Sequence, residues 1–144
     1  MADSMLLQCV VVTPERAVLD EKVDFVALPM FDGELGVLPG RAPLIGRLGA
    51  GELRTTKGAR TQRYFVDGGF AQVRHNVVTV LTPRALKAEE LSVQAAAQAL
   101  ERAEVPGKTP EEQDKQLRAQ QRARAQLRLA RRVEEERANQ PLRA

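Results

Sequence analysis

LRTTKGARTQRYFVDGGFAQVRHNVVTVL, residues 53–81, is the stretch on which the fold turns. Runs rich in Thr, Val, Phe and Tyr are interrupted by Lys57-Gly58, Asp67-Gly68-Gly69 and His75-Asn76, residue pairs that favour turns. Residues 53–56, 61–66, 70–74 and 77–81 are therefore expected as short strands. Working upstream, Gly49-Ala50-Gly51 is another break, residues 23–29 alternate before Asp32-Gly33, and residues 5–12 form a β-branched run ended by Thr13-Pro14. The spacing leaves no room for helical crossovers, which argues against a parallel sheet and for an antiparallel sandwich.

Downstream, the composition changes near Arg84. Residues 1–83 hold 9 Lys or Arg and 9 Asp or Glu, whereas residues 84–144 hold 13 and 10, so the net charge of +3 lies in the second part. Every aromatic residue and every glycine except Gly107 precedes the break. Two domains are expected, a β-sandwich over 1–83 and a helical hairpin over 84–144. Ser92 is placed to cap a helix reaching about residue 104, and Val105-Pro106-Gly107 ends it. Thr109-Pro110-Glu111-Glu112 then supplies an N-cap, a proline at the first helical position and a capping-box glutamate. This second helix is expected to run to about residue 136, with Ala119, Ala123, Leu127 and Ala130 as a narrow apolar seam against the first.

Composition narrows the function classes. A chain of 144 residues with 43% hydrophobic and 28% charged residues can build a core without metal or disulfide staples. Cys9 is the sole cysteine and His75 the sole histidine, which excludes an internal disulfide and any multi-cysteine metal site. Cys9 lies in an apolar strand, where cysteine behaves as a small hydrophobe, and His75 sits in a turn. No phosphate-cradling glycine loop with a following Lys-Ser/Thr is present, so no residue is offered as catalytic, cofactor-binding or metal-ligating. No apolar run is long enough to span a bilayer, and the N-terminus lacks a signal-peptide pattern, so a cytosolic chain is expected.

One charge anomaly stands out. From Lys115 to Arg132 there are seven cations, Lys115, Arg118, Arg122, Arg124, Arg128, Arg131 and Arg132, and no acid. A merely solvated face would be served better by mixed signs, so an acidic partner is expected. A basic helical module for nucleic acid is the alternative. Residues 84–144 contain no aromatic side chain for base stacking, and Glu134-Glu135-Glu136 would repel phosphate, which favours an acidic protein surface.

These motifs together resemble the ε subunit of bacterial F-type ATP synthases. The resemblance begins at Val11-Val12-Thr13-Pro14-Glu15 and is most specific from Gly33 through Leu44, GELGVLPGRAPL. It continues through Gly49-Ala50-Gly51-Glu52-Leu53-Arg54, Gly68-Gly69-Phe70 and the strand 77–81 to the two-helix tail. It implies a ten-stranded sandwich plus hairpin in a noncatalytic central-stalk subunit of a proton-translocating enzyme. The implied partners are the γ subunit, the c subunits of the membrane rotor ring and the catalytic β subunits, with no nucleic acid and no cofactor. The implied location is peripheral, on the cytoplasmic face of the bacterial inner membrane.

Carried over by position, Glu34 and Arg41 match loops that meet the rotor ring. Arg122, Arg124, Arg128 and Arg131 are the candidate contacts to the β subunits, through which the resemblance implies that the tail restrains ATP hydrolysis. Some relatives bind ATP through Ile/Leu-Asp-x-x-Arg-Ala; the matching stretch here is Leu91-Ser92-Val93-Gln94-Ala95-Ala96. Ser92 keeps a capping role, but Ala95 has no charge with which to hold a phosphate.

Overall fold

A computed structural model describes residues 6–140; Met5, read as the start of the first strand, lies outside them. The chain divides into two compact units, Met1–Leu86 and Lys87–Ala144. The boundary falls just beyond the break in composition because β8 (Ala85–Lys87) pairs with the first unit's β6 and Ala85 joins its core.

The first unit is built from β1 (Leu7–Val12), β2 (Ala17–Val23), β3 (Phe25–Met30), β4 (Gly33–Val37), β5 (Leu44–Lys57), β6 (Arg60–Arg74), β7 (Val77–Leu81) and β8. The strands follow the order β2-β1-β7-β6-β5-β3-β4, with β8 against β6. Neighbours are antiparallel except β1 and β7, which pair in parallel, Gln8 opposite Val77 through Val12 opposite Leu81. A purely antiparallel sheet was expected from the lack of helical crossovers. The parallel pair arises because the chain travels through five other strands between β1 and β7, so no crossover helix is needed.

Among the described residues eight strands form, where ten were expected. The difference lies in β5 and β6, of 14 and 15 residues, which run unbroken through glycines that read as turns in the sequence. Their register is constant, from Leu44 opposite Val73 to Lys57 opposite Arg60. The side of the hairpin that faces the core nevertheless changes partway. In the first part of β5 Leu44 and Leu48 point inward and in the second part Leu53; on β6 the inward residues are Tyr64 and Val66, then Ala71 and Val73. An odd interval separates the two sets, so alternation is reversed between them. Gly68 (φ 78°) and Gly69 (φ 102°) make the reversal, since positive φ breaks the pleat at no steric cost only in glycine. Side chains are also excluded by space, because a Cβ on Gly69 would collide with the Leu81 carbonyl oxygen and lie 2.9 Å from Thr82 Cα.

The folded hairpin thus serves two layers, and Leu7, Cys9, Val11, Val78 and Val80 of one meet Val26, Leu28, Val37 and Leu53 of the other in one buried core. The Cys9 thiol is pushed up to about 12, first by burial and then by the carboxylates of Glu21 and Asp20.

In the second unit, a single 3₁₀ turn (Ala88–Glu90) leads to α1 (Val93–Ala103) and α2 (Pro110–Ala138). Both N-caps read from the sequence form. Ser92 Oγ accepts from the Ala95 N–H at 3.2 Å, and Thr109 and Glu112 close a reciprocal capping box. Ala96 and Ala103 of α1 and Ala123, Leu127 and Ala130 of α2 are buried where the two helices pack.

Candidate functional site

The turns of the sandwich carry its candidate contact residues. Leu38-Pro39-Gly40-Arg41 is a β-turn closed by the Arg41 N–H to the Leu38 carbonyl at 3.3 Å. Proline in second place and Gly40 at φ 86° in third give it type II geometry. Asn76 holds this turn from across the molecule, its Oδ1 accepting from the Gly40 N–H at 2.8 Å. His75 (φ 51°) and Asn76 (φ 63°) are themselves the central pair of the two-residue turn joining β6 to β7, the twist that suits a tight hairpin. Arg41 is thereby presented, exposed, at the end of a turn held by Asn76.

Glu34 is placed differently. It opens β4 after the Phe31-Asp32 turn, and its carboxylate takes the Arg54 guanidinium at 2.9 Å. Arg54 also reaches Glu52 at 3.4 Å, and Glu52 pairs with Arg63. The result is a ladder of alternating charge across the outer face of the second layer. Glu34 belongs to this ladder and Arg41 to the separate Leu38–Arg41 turn.

An apolar surface crosses the outer face of the first layer, which the sequence reading did not single out. The register aligns Val12, Leu81, Phe70 and Arg47 across four strands, and Val10, Thr79, Gln72 and Ile45 in the next row. Ile45 is 74% exposed, Phe70 55% and Leu81 53%. The Arg47 guanidinium caps the first row by lying 4.8 Å from the ring centroid of Phe31, itself 69% exposed. An open groove of about 610 Å³ runs here between Phe31, Glu34, Leu35, Ile45 and Arg47. The available signal was apolar residues at the outward positions of β6 and β7, where polar ones alternate in an ordinary half-solvated sheet.

On the hairpin, a groove of about 470 Å³ is lined by Leu100, Leu127, Arg124, Arg128, Arg131 and Arg132, with Glu135 at its end. The i, i+4, i+7 spacing of Arg124, Arg128 and Arg131 brings them to one face, as a helix requires. Arg122 is half-buried and lies off this groove. Leu100 and Leu127 give the arginines an apolar floor, and neither they nor Arg132 were among the expected contacts. Ser92 Oγ is engaged at its cap. Among the described residues, no group of three or more His, Cys, Asp or Glu is arranged to hold a metal.

A β-sandwich joined to an antiparallel helical hairpin, with its charged groups on turns and outer faces, is the architecture of a subunit that acts through contact. Residues 6–88 match the family model for the β-sandwich domain of the ATP synthase delta/epsilon chain. The chain belongs to the ATP synthase epsilon chain family, whose members are noncatalytic subunits. It is 56% identical over 128 residues to the epsilon chain of Rhodopirellula baltica, covering 88% of this chain and 100% of that one. With the epsilon chain of Carboxydothermus hydrogenoformans the identity is 48% over 103 residues, covering 72% and 75%. Among solved structures, a chain of the Euglena gracilis mitochondrial ATP synthase (OSCP/F1/c-ring) superposes with a TM-score of 0.70 at 25% identity, covering 92% of this chain and 81% of its own. A chain of the Tetrahymena thermophila mitochondrial central stalk and c-ring shares the fold at a TM-score of 0.68, with 13% identity, covering 86% and 96%.

Proposed function

We propose that this chain is a central-stalk subunit of a bacterial F-type ATP synthase, coupling ion flow to ATP synthesis and restraining ATP hydrolysis through its hairpin. The carrying observation is the exposed apolar outer face of the sandwich, centred on Phe70, Leu81 and Ile45. Burying a side chain of this size against a partner contributes about 1.5–3 kcal/mol, enough for a few of them to anchor a permanent neighbour. That neighbour is the γ subunit. The Arg41 turn and the Phe31–Glu34 turn meet the polar loops of the c subunits, where the fixed guanidinium of Arg41 suits a carboxylate. Arg124, Arg128 and Arg131, with Arg122 beside them, meet acidic segments of the catalytic β subunits. No helix among the described residues is long and apolar enough to cross a membrane, so attachment at the cytoplasmic face of the inner membrane comes through the complex. The nucleic-acid alternative gains no support from the relatives named above.

Copurification with γ tests the reading. Phe70→Asp together with Leu81→Asp is expected to abolish recovery of γ while Arg124→Ala leaves it unchanged. Full recovery of γ by the doubly substituted, folded chain overturns the assignment of this face.

A further inference from the structure

We propose that Gln113, Gln116 and Gln120 form a polar latch that holds the two-helix hairpin closed at its loop end. The three residues recur at i, i+3 and i+7 along α2, on the face turned toward the end of α1 and the connecting loop. Gln120 Nε2 donates to the Ala103 carbonyl at 3.1 Å, satisfying one of the carbonyls that a helix leaves unpaired in its last turn. Gln116 Oε1 accepts from the Gly107 N–H at 3.0 Å, and Gln113 Nε2 approaches the Gly107 carbonyl at 3.5 Å. Glu112 seals the loop from the other side, Oε2 accepting from the Lys108 N–H at 2.7 Å. Gly107 lies so close to α2 that a Cβ there would sit 2.7 Å from the Glu112 carbonyl carbon.

The seam between the helices gives these bonds their weight. Ala96, Ala103, Ala123 and Ala130 bury little apolar area, so Leu127 is the one large buried side chain on the Ala123–Ala130 face of α2, buried Leu129 lying two residues on and on the other side of the helix. Separating the helices therefore costs little along the seam and requires the loop-end bonds to break. Each such bond shifts an equilibrium by about three- to tenfold, so losing two has a visible effect on a marginal hairpin. The inference rests on the hairpin alone and is independent of what the arginines meet.

The test uses the full chain with spin labels at the exposed positions Gln94 and Glu134, on α1 and on α2 beyond the seam, since buried Cys9 will not compete for the label. A single short distance is expected in the parent. Gln116→Leu with Gln120→Leu keeps helix propensity and size, and is expected to add a longer-distance population and to speed exchange of the Gly107 amide about tenfold or more. Gln121→Leu, on the exposed side of the same helix, is expected to do neither. An unchanged distance distribution in the double variant overturns the latch. Should the double variant lose helix content, Gln116→Glu decides: it retains the acceptor oxygen, so Gly107 protection persists under the latch, and its loss overturns it.

Discussion

Gly69 carries more of the architecture than any large side chain, because its φ of 102° and the nearness of Leu81 and Thr82 leave room for no substituent. Gly69→Ala is expected to destabilise the sandwich by about 3 kcal/mol or more, combining backbone strain with a main-chain collision. Urea unfolding checks it; a loss under about 1 kcal/mol, the cost of an ordinary surface change, contradicts the strain. Gly58→Ala is the comparison, since φ is 59° there but nothing approaches within 4 Å, so only the smaller left-handed penalty applies. Cys9 gives a second test at this scale. Its folded pKa is raised from 9.0 to about 12, so the unfolded chain loses the proton first and binds fewer protons above pH 9. Stability from this group is complete below pH 9 and falls as pH rises toward 12, by about 1.4 kcal/mol per unit. Unfolding curves at pH 8 and about pH 10 should differ by that amount more in the parent than in Cys9→Ala, with the native thiol inert to alkylation at the lower pH.

Elements were legible in the sequence where the signal was local. The helix starts at Ser92 and Thr109 were readable because a cap is a conversation between residues three apart. Thr109→Ala is expected to cost the hairpin about 1 kcal/mol, measured as a lower thermal midpoint of the helical circular-dichroism signal, with no change in the sandwich. The arginine face of α2 was readable for the same reason, through helical period. Strand β2 was missed because four of the seven residues of Ala17–Val23 are half-buried or exposed and polar or small, and only Leu19 and Val23 are fully buried in the core, with Val18 partly packed against it. The continuity of β5 and β6 was missed because glycines at 49, 51, 68 and 69 have the same local chemistry in a turn and in a reversal of pleat; register with the neighbouring strand decides between them. Glu34 was legible as exposed but reads in the sequence as a loop residue, whereas it lies in β4; its tie to Arg54 spans 20 positions and appears only when β3, β4 and β5 lie side by side.

At the scale of the molecule, the proposed function divides the work between hairpin and sandwich, so their removal should have separate consequences. Truncation after Leu86 is expected to leave a folded sandwich that still copurifies with γ, since Ala85 and all of β8 but Lys87 are kept. Deleting residues 105–144 is expected to raise ATPase activity of the assembled enzyme without proton-motive force, and Arg124→Ala, Arg128→Ala and Arg131→Ala combined to give part of that rise. Exposed ion pairs contribute about 0.2–1 kcal/mol each, so three together shift the restraint by several-fold, and raising salt from 0.05 to about 0.5 M should mimic the change. Equal hydrolysis by full-length and truncated forms overturns the restraint. The unbroken passage of β5 and β6 through both layers has a mechanical meaning as well. In a sandwich whose layers touch only through side chains, a sideways load on one layer is borne by van der Waals contacts, which slide. Here the same load runs along covalent backbone from Leu44 to Lys57 and from Arg60 to Arg74. A twist applied at one face is therefore carried to the other by continuous backbone as well as by side-chain contacts.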